Sequence, residues 1–151
     1  MSLSGRFTLG ELDHSSSDAV LRRNHVGRIA FSFHDRVDIE PIAYVYADGW
    51  IYGRTSAGTK LTTLQHHPWV AFEVDEIESM VEWRSVVVHG TVYFLSPSGG
   101  DRDREAYKTA VERLRSFYEE TFTPSDMAPY RDVVFRIHAD DITGRYATTK
   151  G

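Results

Sequence analysis

Val37-Asp38-Ile39-Glu40-Pro41-Ile42-Ala43-Tyr44-Val45-Tyr46-Ala47-Asp48-Gly49-Trp50-Ile51-Tyr52-Gly53-Arg54 is the stretch on which the fold turns. Branched and aromatic residues crowd both halves, and Asp48-Gly49 stands between them. Both turn residues tolerate positive φ, so the pair marks a tight hairpin joining a strand over 37–46 to one over 50–54. Upstream, a strand over 26–33 puts Ile29, Phe31 and Phe33 on one face, and the polar His34-Asp35-Arg36 turns it into the hairpin. The three strands make a β-meander.

Working outward, 69–74 reads as an alternating, aromatic-rich strand and 81–95 as a long one containing Ser85-Val86-Val87-Val88. A further strand is expected over 133–138, with 142–146 extending the sheet. Helices fall between them. One spans 17–23, with Ser17 or Asp18 as its cap, Arg22 and Arg23 at the negative end of its dipole, and Asn24 as its stop. A short one covers 58–66 and ends at Pro68. The longest runs over 101–120, after the break Ser96-Pro97-Ser98-Gly99-Gly100. Its Ala106, Ala110, Leu114 and Tyr118 recur every four residues, with Tyr107 and Val111 beside them, a stripe suited to core or subunit contact. Residues 121–131, with two prolines, read as loose chain. The sum is a mainly β, antiparallel barrel with flanking helices.

A chain of 151 residues with 41% hydrophobic content makes one domain with a core of its own. It has no cysteine, which removes disulfides, thiolate metal sites and cysteine nucleophiles. The net charge of −5 and the acidic run Glu73, Asp75, Glu76, Glu78 and Glu82 argue against a nucleic-acid partner. No apolar run approaches the ~18 residues that span a bilayer. The first twelve residues lack the basic-then-apolar order of a signal peptide. The expectation is a cytoplasmic protein with no membrane contact.

The segment with the most chemistry is Gly53-Arg54-Thr55-Ser56-Ala57-Gly58-Thr59-Lys60. It sits between a strand and a helix and offers two cations, three hydroxyls, glycines for close backbone approach and free N–H groups at a helix start. A phosphate uses all of these. Arg54 can grip two oxygens and Lys60 can add a point charge. The same residues also suit a polar loop with an ordinary helix cap. A nucleotide-hydrolase P-loop is excluded, because Thr59-Lys60 displaces the lysine by one position and the setting is antiparallel.

Other polar residues read more plainly. Adjacent His66 and His67 point about 100° apart on a helix and do not converge on a metal, so none is expected. His89 shares a face with Trp83 and Ser85, either lining a pocket or packing. His25 is structural. Ser85 has no histidine–acid pair, which argues against a hydrolase triad. Glu40 either approaches a ligand or faces solvent.

Val26-Gly27-Arg28-Ile29-Ala30-Phe31, Pro41-Ile42-Ala43-Tyr44-Val45-Tyr46, Lys60-Leu61, Pro68-Trp69-Val70-Ala71-Phe72-Glu73-Val74-Asp75, Trp83-Arg84-Ser85-Val86-Val87-Val88-His89-Gly90 and Ile142-Thr143-Gly144-Arg145 follow one another in a familiar order. In this the chain resembles the pyridoxamine 5′-phosphate oxidase-like flavoproteins, in the branch with the nitroimidazole-resistance proteins, over roughly residues 21–145. The resemblance implies an FMN-binding split β-barrel, one domain over 1–151 with its core over 21–146, working as a homodimer with two sites between subunits. It places the FMN phosphate on Arg54, Thr55, Ser56 and Lys60. It sets the flavin ring beside the backbone of Pro41, Ile42, Ala43 and Tyr44, and lines the ring and substrate side with Trp83, Arg84, Ser85 and Val86. Tyr44 and Trp83 are expected to pack beside the ring. Ala43 stands where many relatives carry a polar side chain, and the pyridoxal-phosphate residues of the true oxidase are not recognisable. The implied activity is FMN-dependent reduction of a small electron-poor substrate, a nitroaromatic or quinone, with the electron donor and catalytic residues unassigned. A non-enzymatic flavin-binding or sensing protein, and a deazaflavin- or heme-binding relative, are the alternatives.

Overall fold

Asp48 and Gly49 both take positive φ, 53° and 80°, and the hairpin they close pairs Ala47 with Trp50 and Tyr44 with Gly53. In a computed structural model that describes residues 7–65 and 68–150, this hairpin is one corner of a closed sheet. The elements are β1 (Thr8–Leu12), α1 (His14–Arg23), β2 (Val26–Phe33), β3 (Arg36–Ala47), β4 (Trp50–Thr55), a 3₁₀ turn (Lys60–Gln65), β5 (Trp69–Ser79), β6 (Glu82–Leu95), α2 (Asp101–Phe117) and β7 (Val133–Thr148).

The strands run in the order β1-β7-β4-β3-β2-β5-β6, and β6 returns to pair with β7, closing the barrel. Every pairing is antiparallel. Closure through β6 and β7 covers edges that an open sheet would carry, and leaves β1 paired on one side only. Strand alternation then leaves each side chain inside or outside. Ile29, Phe31, Ile42, Tyr44, Tyr46, Ile51, Phe72, Val74, Val86, Val88, Phe135 and Ile137 fill the interior. A second cluster lies outside, where Ala106, Ala110 and Leu114 of α2 cover Val45, Tyr52, Leu95 and Val134. The stripe expected on the long helix is therefore core. The helix stops at Phe117, so Tyr118 caps it rather than continuing the stripe.

Helix α1 is held by β3 and β5. Tyr44 Oη donates to the Leu21 carbonyl at 2.7 Å, and Tyr46 Oη donates to Asp18 at 2.7 Å. Glu76 accepts from both Arg23 nitrogens at 2.6 Å and from Asn24 Nδ2 at 2.6 Å. Those donors, led by Arg23, hold the Glu76 carboxyl down at about 2. The helix begins three residues earlier than the serines suggest. Asp13 is its cap, accepting from Ser16 N at 2.7 Å, and Ser17 is buried against Gly144, where a Cβ would lie 2.4 Å from its Oγ.

Two other expectations shift, and one strand goes unseen in the sequence. The short helix over 58–66 is a 3₁₀ turn, and His66 and His67 lie outside the described residues. The edge strand β1 pairs with β7 and has too little alternation to be seen in sequence. The two pieces expected over 133–138 and 142–146 are one strand, interrupted where the register shifts between His89 and Gly90. His89 faces Asp141 and Gly90 faces Ala139, so Asp140 is an extra residue, a β-bulge. It accepts from Thr91 Oγ1 at 3.0 Å and contacts His138 Nδ1 at 2.5 Å. The polar sequence at the bulge hides the continuity of the strand.

Gly90 makes the bulge possible. A Cβ there would sit 2.1 Å from the His138 carbonyl oxygen, and backbone cannot rotate away as a side chain can. Gly90→Ala is expected to cost about 1–3 kcal/mol and to lower the urea midpoint without changing the slope. An unchanged midpoint would show that the strands part easily at this bulge.

Candidate functional site

Alternation sorts the expected site residues. On β3, Ile42 and Tyr44 point inward and are buried, and Pro41 and Ala43 point outward and are exposed. Tyr44 was expected beside the flavin ring. Its side chain instead lies in the core with its hydroxyl on Leu21, and burial pushes that phenol up. On β6, Val86 is fully buried, Ser85 faces outward, and Arg84 is exposed near Glu76. Trp83 is half-buried beside a cleft of about 250 Å³ lined also by Glu76, Glu82 and Tyr146.

The outward residues fall into rows across the barrel. Pro41 pairs with Arg28, Arg28 with Glu73, and Glu73 with Val87. In the next row Ala43 pairs with Val26, and Asp75 with Ser85. Thus β3 and β6 are separated by β2 and β5, three strand spacings or roughly 14 Å. The structure puts Pro41 and Ala43 on the same outer face as Ser85 but does not bring them together within one chain.

The loop after β4 turns sharply into the 3₁₀ turn. Gly58 takes φ 81° with nothing within 4 Å of where a Cβ would be. Thr59 holds the turn: its carbonyl accepts from Thr62 N at 3.1 Å and Thr62 Oγ1 at 2.7 Å, and its Oγ1 lies 3.4 Å from that of Thr55. Thr55 is buried and Ser56 half-buried. Lys60 opens the 3₁₀ turn, and its side chain lies outside the described residues. Gly53, read in sequence as part of the cradle, serves the core instead. It is buried in β4, and a Cβ there would meet the Phe135 ring at 2.6 Å.

Arg54 was expected to grip two phosphate oxygens. The two oxygens it grips belong to Asp126, at 2.7 and 2.9 Å. Asp126 is fully buried, and it also accepts from Phe122 N at 2.9 Å and Ala128 N at 2.9 Å. The Arg54 guanidinium lies 5.1 Å from the Phe122 ring centroid. The pair pins residues 118–131 across the end of α2, and it walls a cleft of about 220 Å³ with Ala43, Val45, Leu114, Phe117 and Met127. Phe117 in turn stacks on His25 at 3.9 Å, and His25 Nδ1 lies 3.1 Å from the Tyr44 carbonyl oxygen. Sequence reading missed Asp126 and Met127, because the loose, proline-bearing stretch gives no periodicity, and Phe117, the last residue of α2, because it falls outside the four-residue repeat. The one available signal was an acid set among apolar neighbours. Among the described residues no group of three or more His, Cys, Asp or Glu is placed to hold a metal, and no helix is long and apolar enough to cross a membrane.

Arg54, led by its hydrogen bonds to the carboxylate, holds the Asp126 carboxyl far below the usual range. A depressed carboxyl stabilises the fold above its unfolded pKa, and that contribution drains away as pH falls. Asp126→Ala leaves the nearly buried Arg54 without its carboxylate, with only the Ala128 and Arg131 carbonyls to accept from it, a change worth about 3–5 kcal/mol. We expect chemical denaturation at neutral pH to show this loss, and the difference from the parent to shrink in acid. A difference that holds constant down to strongly acid pH would place the effect elsewhere.

The pyridoxamine 5′-phosphate oxidase family model matches residues 13–146. An uncharacterized protein of Rhizobium meliloti (strain 1021) is 23% identical over 145 residues, 90% of this chain and 93% of its own. A FAD-binding protein of Mesorhizobium loti is 25% identical, with a TM-score of 0.71 over 91% of this chain and 97% of its own. A proposed 5-nitroimidazole antibiotic resistance protein of Bacteroides thetaiotaomicron shares the fold, with a TM-score of 0.70 at 16% identity over 93% of this chain and 89% of its own.

Proposed function

We propose that the chain, which belongs to the pyridoxamine 5′-phosphate oxidase family, is an FMN-binding cytoplasmic flavoprotein that works as a homodimer and reduces a small electron-poor substrate of the nitroaromatic or quinone type. The observation that carries this reading is the arrangement on the outer face. Pro41 and Ala43 offer a flat apolar strip, Ala43 shares a cleft with Arg54 at the start of the loop after β4, and Trp83 and Ser85 lie three strands away. A convex barrel cannot fold these onto one ring. A second copy, related by two-fold symmetry, brings the β6 of one chain over the β3 of the other, and a ring held between them is shielded from water.

The residues suit a flavin. Thr55, Ser56, the N–H groups around Gly58, and Lys60 supply the phosphate contacts. Arg54, already matched by Asp126, supports the loop and the ring strand and adds field more than a free charge. The apolar Pro41, Ala43 and Val26 lie where a flat ring would rest, and His25 and Phe117 form the next step of that wall. The flavin supplies the hydride and electron chemistry when bound. The chain binds it, orients it and keeps solvent away from one face. The small Ala43 leaves the ring without a side-chain polar contact there. The flavin carried by the Mesorhizobium loti protein, FAD, makes the dinucleotide the form to compare.

Loading with FMN, and separately with FAD, followed by removal of free flavin, is expected to leave a yellow protein with the visible spectrum of bound FMN. Ser56→Ala combined with Lys60→Ala removes one neutral and one charged phosphate contact and is expected to weaken binding by about tenfold or more. Reoxidation of the reduced protein by a nitroaromatic then tests turnover. Tighter retention of FAD would change the cofactor, flavin binding without turnover would make the protein a flavin carrier or sensor, and a protein that holds neither flavin overturns the reading.

A further inference from the structure

The outer face of β2, β3 and β5 is apolar at its rim. Val26, Ile39 and Trp69 are 61%, 64% and 70% exposed, and Pro41 and Ala43 stand open beside them. Its centre is charged. Arg28 Nη1 lies 3.1 Å from Glu73 Oε1 and 3.5 Å from Asp75 Oδ2, and Ser85 Oγ donates to Glu73 Oε2 at 2.9 Å. One guanidinium therefore serves two carboxylates, and the cluster is short of one positive charge.

The other ionisable groups of this face do not make up the deficit. On β7, Arg145 is level with Ser85, and Glu11 of β1, level with Arg145 in turn, brings a negative charge for that positive one. On β6, His89 is level with Asp141 of β7. The outward positions of β3 from Val37 to Ala43 carry no charge. Exposed to water, the surplus carboxylate costs little. Covered by another apolar face, it would lose its hydration with no cation to replace it, a large penalty. The least costly remedy is a proton. Glu73 is the group prepared to take it. Burial, and then the Asp75 carboxyl beside it, already push Glu73 up, against the opposite pull of Ser85 and Arg28. Ser85 can keep its hydrogen bond to a protonated Glu73 by bonding to the carbonyl oxygen.

We infer that a second copy docks on this face and that each chain takes up one proton at the Arg28–Glu73–Asp75 cluster as it docks. The inference rests on the paired-chain reading above and adds its regulation. A face that is its own partner suits this chemistry: two neutral clusters meet, where two negative ones would repel. The sign follows from linkage. Docking raises the Glu73 pKa, so the dimer is favoured while Glu73 is protonated and weakens as pH rises through the dimer's titration. Below the free chain's own Glu73 titration the dependence vanishes.

The test is sedimentation of the protein at fixed flavin content, over a concentration series from mildly acid to mildly alkaline pH. Two protons per dimer make the dissociation constant rise by up to ~100-fold per pH unit inside the window. Glu73→Gln keeps the Ser85 contact and removes the charge, and its dimer is expected to be indifferent to pH over that range. Infrared spectra supply a second readout that holds even for a dimer too tight to dissociate: a protonated carboxyl stretch at neutral pH, absent from Glu73→Gln. A dimer whose affinity ignores pH and that lacks this band overturns the proton uptake alone. The same pH dependence in Glu73→Gln assigns it to another group and overturns the inference too. A chain that stays monomeric at every pH overturns both the uptake and the pairing.

Discussion

β7 is the strand on which the rest of the structure depends. Its first half is hydrogen-bonded to β4 on one side and β6 on the other, and its second half to β6 and β1. That double pairing closes the sheet, and closure fixes everything downstream. A small closed barrel has a full interior, packed here by aromatic and branched side chains. A ligand the size of a flavin has no room inside it. Positions open to a ligand lie outside, on residues whose neighbours in sequence point inward. This is why Pro41, Ala43 and Ser85 face outward while Ile42, Tyr44 and Val86 hold the fold.

How much of this was legible in the sequence depends on the period being read. The meander from Val26 to Thr55 was plain, because alternation and Asp48-Gly49 agree. The α2 stripe was plain for the same reason at the helical period. Positions where two rules compete were not. Ser17 looks like a cap, since serine so often is one, but Asp13 reaches Ser16 N first. The strand β7 looked like two because Asp140 is an extra residue. Gly53 looked like part of a cradle, and its neighbour Phe135 lies far away in sequence, so the contact that explains it could not be seen. Of the candidate site, the loop after β4 and the strands β3 and β6 could be located from the chain. The partner of Arg54 could not, because residues 118–131 have no period and Asp126 is defined only by what surrounds it.

The Arg54–Asp126 pair also changes how charge is used near the loop. A carboxylate with four donors is a fixed, neutralised object, and it commits the arginine to a planar geometry. For the anion proposed at the loop, selectivity would fall to hydroxyls, backbone N–H groups and a single lysine, which favour shape over raw attraction. The acidic run, read in sequence as an argument against a nucleic-acid partner, is likewise divided by the fold. Glu76 is spent on α1, and Glu73 and Asp75 are gathered around Arg28.

The second hydrophobic cluster has its own consequence. Ala106, Ala110 and Leu114 meet Val45, Tyr52, Leu95 and Val134 on the outside of the barrel, apart from the side chains that fill its interior. A chain built this way has two layers of cooperativity. The outer layer, α2 with the segment tied by Asp126, can open as a unit while the ring of strands stays closed, and its amides would exchange with solvent through a lower-energy opening than those of β3 or β7. The wall beside Ala43 and Phe117 belongs to this outer layer. Substitutions there can reshape the cleft and its breathing at a cost confined to the layer, which leaves the barrel free to serve as a constant frame for differing chemistries.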